Sequence, residues 1–253
     1  MLTPKVARRF ARVDSTNAAL LRDLGLQPDL PSGTVYLTRD QSAGRGQGSN
    51  GWHATPGDNL TLSALFRPAD LSADRIFALT RATALAVADV VLELAPAAAA
   101  DVRIKWPNDV YVGDRKVAGI LIQNGLRGSR VSWSVIGIGL NVNEQHFPPE
   151  LRSTATALHE LHGAPLDTDG VLERLLTYLG RRLDTLDAGR FAELQAPYHD
   201  RLYLRDRPHT FLRVADDVRF RATVRGVDAD GQLVLEHPDG RRETFTLQSL
   251  RFR

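Results

Sequence analysis

From residue 102 to residue 142 the chain is one strand signal after another, with only turn chemistry between them. Val102-Arg103-Ile104-Lys105 comes first, followed by apolar, β-branched runs at residues 110–112, 117–123 and 131–142. Gly113-Asp114 and the stretch 124–128 supply hairpin turns. Such a block commits the chain to a sheet. Two further strands are predicted at Thr34–Thr38 and 59–66, and helical spacing of apolar residues at 74–95, ending at Pro96. Asp14-Ser15-Thr16-Asn17 reads as the cap of a helix that stops near Gly25, and helical patterns return at 153–161, 171–186 and 190–200. From His209 the chain alternates again, with turns at 228–231 and Pro238-Asp239-Gly240, as in a small antiparallel barrel. The predicted class is α+β: a mixed sheet flanked by helices over residues 1–203, then a small β domain over 204–253.

Composition removes several chemistries. The 253 residues contain no Cys, so thiol nucleophiles, disulfides, thiolate zinc sites and Cys-ligated clusters are excluded. The single Met is residue 1, which excludes a Met-rich groove. Residues 1–13 lack the apolar core of a secretory signal. The most apolar stretch, 82–100, carries Asp89, Glu93 and Pro96 and is a poor membrane span. A cytoplasmic protein with no membrane partner is expected. Net charge is +2, and residues 200–253 hold 11 Arg against 9 Asp and Glu. That is a mixed surface, not the concentrated basic face that phosphate neutralisation demands. Among 32 basic residues only three are Lys, at positions 5, 105 and 116. A compact ammonium retained in so Arg-biased a chain points to phosphate or carboxylate oxygens.

Three segments can carry chemistry. In Gln41-Ser42-Ala43-Gly44-Arg45-Gly46-Gln47-Gly48, glycines let backbone N–H groups converge on an anion, and Arg45 adds a planar fork. The loop matches neither a Walker P-loop nor a dinucleotide fingerprint, and taken alone it is equally a surface connection. In Lys105-Trp106-Pro107-Asn108-Asp109, the proline keeps Trp106 out of the helical region and stiffens the turn, so the lysine is held toward a cleft while Trp106 joins the core. In Ile136-Gly137-Ile138-Gly139-Leu140-Asn141-Val142-Asn143, alternate glycines clear one strand face for a ligand, a backbone or a neighbouring helix.

Together, Asp-Ser-Thr-Asn at 14–17, Gly-Arg-Gly at 44–46 with Trp52, Lys-Trp-Pro-Asn-Asp at 105–109, Lys-x-Ala-Gly-Ile-Leu at 116–121 and Gly-x-Gly-x-Asn at 137–141 make an ordered set between residues 14 and 141, and the small C-terminal β domain follows it. In that set the chain resembles the biotin–protein ligases. The resemblance implies a biotin/lipoate ligase-like catalytic domain with an SH3-like β-barrel behind it. It also implies a reaction: biotin and ATP, with Mg²⁺, give biotinyl-5′-adenylate, and the biotinyl group passes to one lysine of the biotin carboxyl carrier protein of acetyl-CoA carboxylase.

Residue by residue, the resemblance makes Lys105 the catalytic bridge between biotin carboxylate and α-phosphate, assisted by Arg45. Ser15, Thr16, Asn17 and Gln41 would hold the ureido ring, with Gly44, Gly46, Gln47 and Gly119 around biotin. Trp52, Lys116, Gly137, Gly139 and Asn141 would face the nucleotide and its Mg²⁺; no metal ligands are assigned. Gln47 stands where the family usually repeats Arg, with Gly48-Ser49-Asn50 behind it, which predicts weaker retention of the adenylate. Only 14 residues precede Ser15, so a monofunctional ligase without operator DNA binding is expected. The sheet edges could pair with the carrier or with a second copy, and the sequence does not choose between monomer and homodimer. A lipoate–protein ligase is the enzymatic alternative and a non-catalytic biotin or nucleotide sensor the other; retained Lys105 argues against the sensor.

Overall fold

The computed structural model describes residues 3–48 and 50–253, so Met1, Leu2 and the Ser49 of the predicted loop departure lie outside the described residues. In chain order the first part runs β1 (Lys5–Phe10), α1 (Thr16–Leu26), β2 (Thr34–Thr38), β3 (Leu60–Phe66), α2 (Phe77–Leu94), β4 (Val102–Lys105), β5 (Asp109–Val112), β6 (Arg115–Arg127), β7 (Arg130–Leu140), α3 (Leu158–His162), α4 (Thr168–Asp187) and α5 (Ala192–Asp200). Its strands form one seven-stranded sheet in the order β1-β2-β3-β7-β6-β5-β4. Only the β1–β2 pair is parallel, so the sheet is mixed.

The two faces of this sheet differ in chemistry because strand side chains alternate. On one face Leu60, Leu62, Ala64 and Phe66 of β3 and Ile136 and Ile138 of β7 join the main core with α2, α4 and α5. The Ala positions of α2 (78, 82, 84, 86 and 88) are all buried, which lets that helix lie close against the sheet. On the other face α1 covers Tyr36, Leu65 and Val135 through Ala19, Leu20 and Leu24. Beyond the N-terminal end of α1 that face carries Thr61, Ser63, Leu121 and glycines at 119, 137 and 139. The register sets them side by side, Thr61 opposite Gly139 and Ser63 opposite Gly137, with Gly119 and Leu121 beyond. There α1 leaves a polar, glycine-bearing patch of sheet that Asn17 and Trp52 overlie.

The second part is β8 (Pro208–Arg213), β9 (Val218–Val227), β10 (Leu233–Glu236), β11 (Arg242–Phe245) and β12 (Leu250–Phe252), an antiparallel five-stranded sheet in the order β11-β10-β9-β8-β12. Its β9–β10 turn is clamped to the first part. Buried Arg81 donates from Nη2 to Asp228 O (2.8 Å), Trp106 Nε1 donates to Gly231 O (2.8 Å), and Val227 N–H donates to His199 Nε2 (3.2 Å).

The structure departs from the sequence reading in two places. β1 is a strand the pattern does not announce: Lys5-Val-Ala-Arg-Arg-Phe10 is an edge strand, mostly exposed, with no apolar alternation to mark it. The helix expected at 153–161 is shorter and later, Leu158–His162, because residues 151–154 form a turn and Ala155 then bridges to Lys116. Lys116 N–H donates to Thr154 O (2.7 Å), and Thr156 N–H donates to Lys116 O (2.9 Å).

Candidate active site

The glycine-bearing patch is the floor of a cavity of about 570 Å³, within the range of small-molecule sites. Thirteen of the predicted site residues line it: Ser15, Thr16, Asn17, Gln41, Arg45, Gly46, Gln47, Trp52, Lys105, Lys116, Gly119, Gly137 and Gly139. Segments more than a hundred residues apart in the chain meet there.

One end is a polar network built on the start of α1. Ser15 caps the helix, its Oγ accepting from Ala18 N–H. Thr16 N–H donates to Gln41 Oε1 at 2.8 Å, and the Thr16 and Ser63 hydroxyl oxygens lie 2.8 Å apart. Asn17 Nδ2 donates to Leu121 O (3.2 Å), and its Oδ1 accepts from Ser63 Oγ. All of Ser15, Thr16, Asn17 and Ser63 are buried. Gly137 is required beneath Asn17, since a Cβ there would collide with the amide. These buried polar atoms fix each other's rotamers and present a rigid hydrogen-bonding wall.

The other end is cationic. Lys105 closes β4, and the pairing of Ile104 with Leu202 brings Tyr203 beside it. Its ammonium lies 4.9 Å from the Tyr111 ring centre, 5.6 Å from Tyr203 and 5.1 Å from Phe252 of β12. Burial among these rings lowers its pKa below the ordinary lysine value, a shift that the carboxylate of Asp109 opposes. Burial and the Asp114 hydrogen bond raise the Tyr203 phenol to about 12. Lys116 is the second residue of β6; its Nζ sits 2.8 Å from Asp109 Oδ1 and 5.6 Å from the Trp52 ring centre. That indole packs against Gly139, where any Cβ would strike it, and it also reaches Gly119. The alternate glycines therefore clear space for two side chains of the protein itself, Gly137 for Asn17 of helix α1 and Gly139 for Trp52 of the glycine loop.

The glycine loop forms the remaining wall. Arg45 and Gly51 pair across it, Gly46 N–H donates to Asn50 O (2.7 Å), and Trp52 N–H donates to Gly44 O (3.0 Å). Its far end is held by Glu144, which is fully buried. That carboxylate accepts from Thr55 N–H (2.8 Å), Thr55 Oγ1 (2.7 Å), Asn59 Nδ2 (2.7 Å) and His146 N–H (2.9 Å). Burial pushes its pKa up, and these four donors more than reverse that, leaving it below the ordinary glutamate value.

Two predicted residues do not line the cavity. Gly44 is the loop's first hinge, tied to Trp52 as described. Asn141 is buried, with Nδ2 donating to Thr156 O (3.0 Å), so its amide anchors the segment at Thr156 and stands outside the cavity lining. The sequence reading missed Ser63, Thr61, Tyr111, Tyr203, Arg251 and Phe252. Thr61 and Ser63 carry a signal, being polar alternates in an otherwise apolar strand. Tyr203, Arg251 and Phe252 reach the site only through tertiary pairing.

A model of the biotin/lipoate A/B protein ligase family matches residues 9–141. The chain belongs to that family. Among relatives of this ligase family, the biotin–[acetyl-CoA-carboxylase] ligase of Paracoccus denitrificans is 32% identical over 236 residues, covering 92% of this chain and 95% of that protein. The bifunctional ligase/repressor BirA of Bacillus subtilis is 31% identical over 225 residues, 85% of this chain and 65% of that protein. The chain thus spans just under two thirds of the length of that relative. In fold, the ligase-family chain is similar to the Aquifex aeolicus biotin protein ligase solved with biotin and ATP, with a TM-score of 0.78, 23% identity and coverage of 98% and 99%.

Proposed function

We propose that the chain is an ATP-dependent ligase that activates biotin as biotinyl-5′-adenylate and passes the biotinyl group to one lysine of a biotin carboxyl carrier domain of acetyl-CoA carboxylase. The observation that carries this reading is the division of one cavity into a rigid neutral hydrogen-bonding end and a cationic end. The Ser15–Thr16–Asn17–Gln41 end suits the ureido ring, whose donors and acceptors match buried polar atoms that an apolar pocket would lack. Lys105 and Lys116 stand at the other end, with Arg45 on the loop wall of the same cavity, where a carboxylate and a triphosphate must approach despite their mutual repulsion.

In this reading the two ammoniums divide the work. Lys116 stands over the glycine floor between the neutral end and the nucleotide, so it bridges the biotin carboxylate and the α-phosphate. Lys105, caged by the rings of Tyr111, Tyr203 and Phe252, meets the outer phosphates and steadies the pyrophosphate as it leaves. The sequence reading gave the bridge to Lys105; the burial of that ammonium on the β12 side favours Lys116 instead. The carboxylate oxygen attacks the α-phosphorus and pyrophosphate departs with the bonding electron pair. No side-chain nucleophile is needed, so alignment and fixed positive charge supply the rate. The glycine loop and Trp52 then exclude water from the mixed anhydride.

Among the described residues no group of three or more His, Asp or Glu could hold a metal. The donors present therefore fit a Mg²⁺ that arrives on the triphosphate and keeps its waters, as Mg²⁺ commonly does, and it would neutralise phosphate charge there. No described helix is long and apolar enough to cross a membrane. A cytoplasmic setting, no nucleic-acid partner and a division of the chain at residues 203/204 belong to the same proposal.

The test is pyrophosphate release with ATP and either biotin or lipoate, followed by transfer of labelled biotin to a carrier domain. Biotin-dependent release with transfer is expected. Release with lipoate alone, or biotin binding with no release, overturns the reading.

A further inference from the structure

Helix α2 carries a cation that no step of the proposed chemistry uses. Arg81 is only 6% exposed, and among the described residues it forms no ion pair. Taking a guanidinium out of water without a carboxylate beside it is costly, and a well-packed apolar side chain of similar length would be at least as stable there. Stability alone does not account for it. What Arg81 has instead is a set of oriented contacts. Its Nη2 donates to Asp228 O (2.8 Å) and Val227 O (3.3 Å), the carbonyls that lead into the β9–β10 turn. The guanidinium lies 5.1 Å from the Phe77 ring centre and 6.0 Å from that of Tyr198. The Asp228 carboxylate is engaged within the turn, accepting from Gln232 N–H at 2.8 Å.

Both groups that Arg81 meets hold the segment that follows Lys105. On the turn, Gly231 O accepts from Trp106 Nε1 (2.8 Å), and Gly231 is seated on Phe77, whose ring a Cβ at that position would strike. On α5, fully buried Tyr198 donates to Pro107 O (3.2 Å) and meets the Phe77 ring edge-on at 5.8 Å. Trp106 and Pro107 lie between Lys105 and Asn108 and line the active-site cavity with them. They are gripped from behind, Trp106 by the small β domain and Pro107 by α5, and Arg81 is common to both grips. We infer that Arg81 is a positioning residue for adenylate formation, fixing the β9–β10 turn and Tyr198 so that Trp106 and Pro107 hold Lys105 in place at the phosphate end. The inference rests on the proposed ligase reaction. Arg81 does not line the cavity, so its effect passes through these two residues. The hydrogen-bonding end, built on α1 and Gln41, lies outside this chain of contacts. A displacement of about 1 Å in an aligned group can cost up to roughly a hundredfold in rate, so a small shift of the turn is felt in catalysis before it is felt in folding.

The test measures biotin-dependent pyrophosphate release, biotin affinity without ATP, and Tm in Arg81→Met, Arg81→Lys, Trp106→Phe and the double variants. Met follows the course of the Arg stem and suits a buried site, so Arg81→Met should fold with a Tm close to wild type. Its kcat should fall about tenfold while biotin affinity stays at the wild-type value, and Arg81→Lys, which keeps a donor for the turn, should return to within about threefold of wild type. Trp106→Phe removes the Nε1–H donor and should also cost about tenfold. Arg81→Met with Trp106→Phe should cost about tenfold again, not about a hundredfold, because both break one chain of contacts. Wild-type kcat in Arg81→Met overturns the inference. So does multiplication of the two losses in the double variant, or a parallel fall in biotin affinity, which would mark a general loosening of the fold. Should Arg81→Met not fold, the cycle is run with Arg81→Lys: its loss should vanish in the Trp106→Phe background, and a loss that persists there overturns the inference. Absence of pyrophosphate release in the wild type would instead overturn the ligase reading.

Discussion

Glu144 offers the most demanding test of how the glycine loop is held. Its buried carboxylate satisfies Thr55 N–H, the Thr55 hydroxyl, Asn59 Nδ2 and His146 N–H at 2.7–2.9 Å, joining the segment that follows Trp52 to the end of β7. In Glu144→Ala the hydroxyl can turn to another acceptor, but the other three donors are orphaned. At roughly 1 kcal/mol each, the lower end for an unsatisfied buried group, the loss is about 3 kcal/mol. For a chain of this size that is a fall in Tm of roughly 6–12 °C. In Glu144→Gln one oxygen becomes an NH₂ that opposes the donors on its side, and a loss of about 2 kcal/mol is expected. Because the folded pKa lies below the ordinary glutamate value, the carboxylate's extra stability is fully present above that ordinary value and disappears as pH falls through the folded pKa. The gap between wild type and Glu144→Gln should therefore narrow in acid. Thermal unfolding followed by circular dichroism across pH measures both effects. A fall below about 2 °C for Glu144→Ala, under 1 kcal/mol by the same conversion, would refute the buried-carboxylate account.

Gly139→Ala places a Cβ in the Trp52 indole and should displace that ring, altering its fluorescence and weakening adenylate binding about tenfold; an unchanged spectrum with unchanged binding would contradict the packing described here. Burial lowers the Lys105 pKa, and a bound triphosphate should restore it. ATP binding is therefore expected to take up protons at alkaline pH below the ordinary lysine value, visible as a buffer-dependent binding enthalpy, and buffer independence there would be evidence against a caged phosphate contact. Gln47→Arg adds a cation at the wall of the cavity and should slow release of preformed adenylate several-fold; equal release rates would remove any role for Gln47 in retention.

Much of the fold was legible because the hairpins between residues 102 and 142 announce themselves through turn residues and β-branched runs, and β2 falls on the predicted Thr34–Thr38. β1 was not, since an exposed edge strand paired on one side has no apolar face to leave in the sequence. Ser15 as the cap of α1 follows from local chemistry, and so does its place at the cavity wall once the helix is packed on the sheet. Gly137 and Gly139 showed that something approaches the strand closely; that Asn17 and Trp52 are what approaches needs the sheet register. Asn141 illustrates the opposite failure: an amide in a motif can serve the backbone, and only its partner, Thr156 O, tells which. The ring cage around Lys105 depends on β12, some 145 residues on, and no local signal carries it.

The central claim is that ammoniums held over a glycine floor let the biotin carboxylate and the α-phosphate meet. Biotin-dependent exchange of labelled pyrophosphate into ATP reports that step without the carrier. Lys116→Ala should lower the exchange rate by about a hundredfold or more, the scale of losing one fixed transition-state charge. Wild-type exchange in Lys116→Ala, with biotin still bound, would contradict the account.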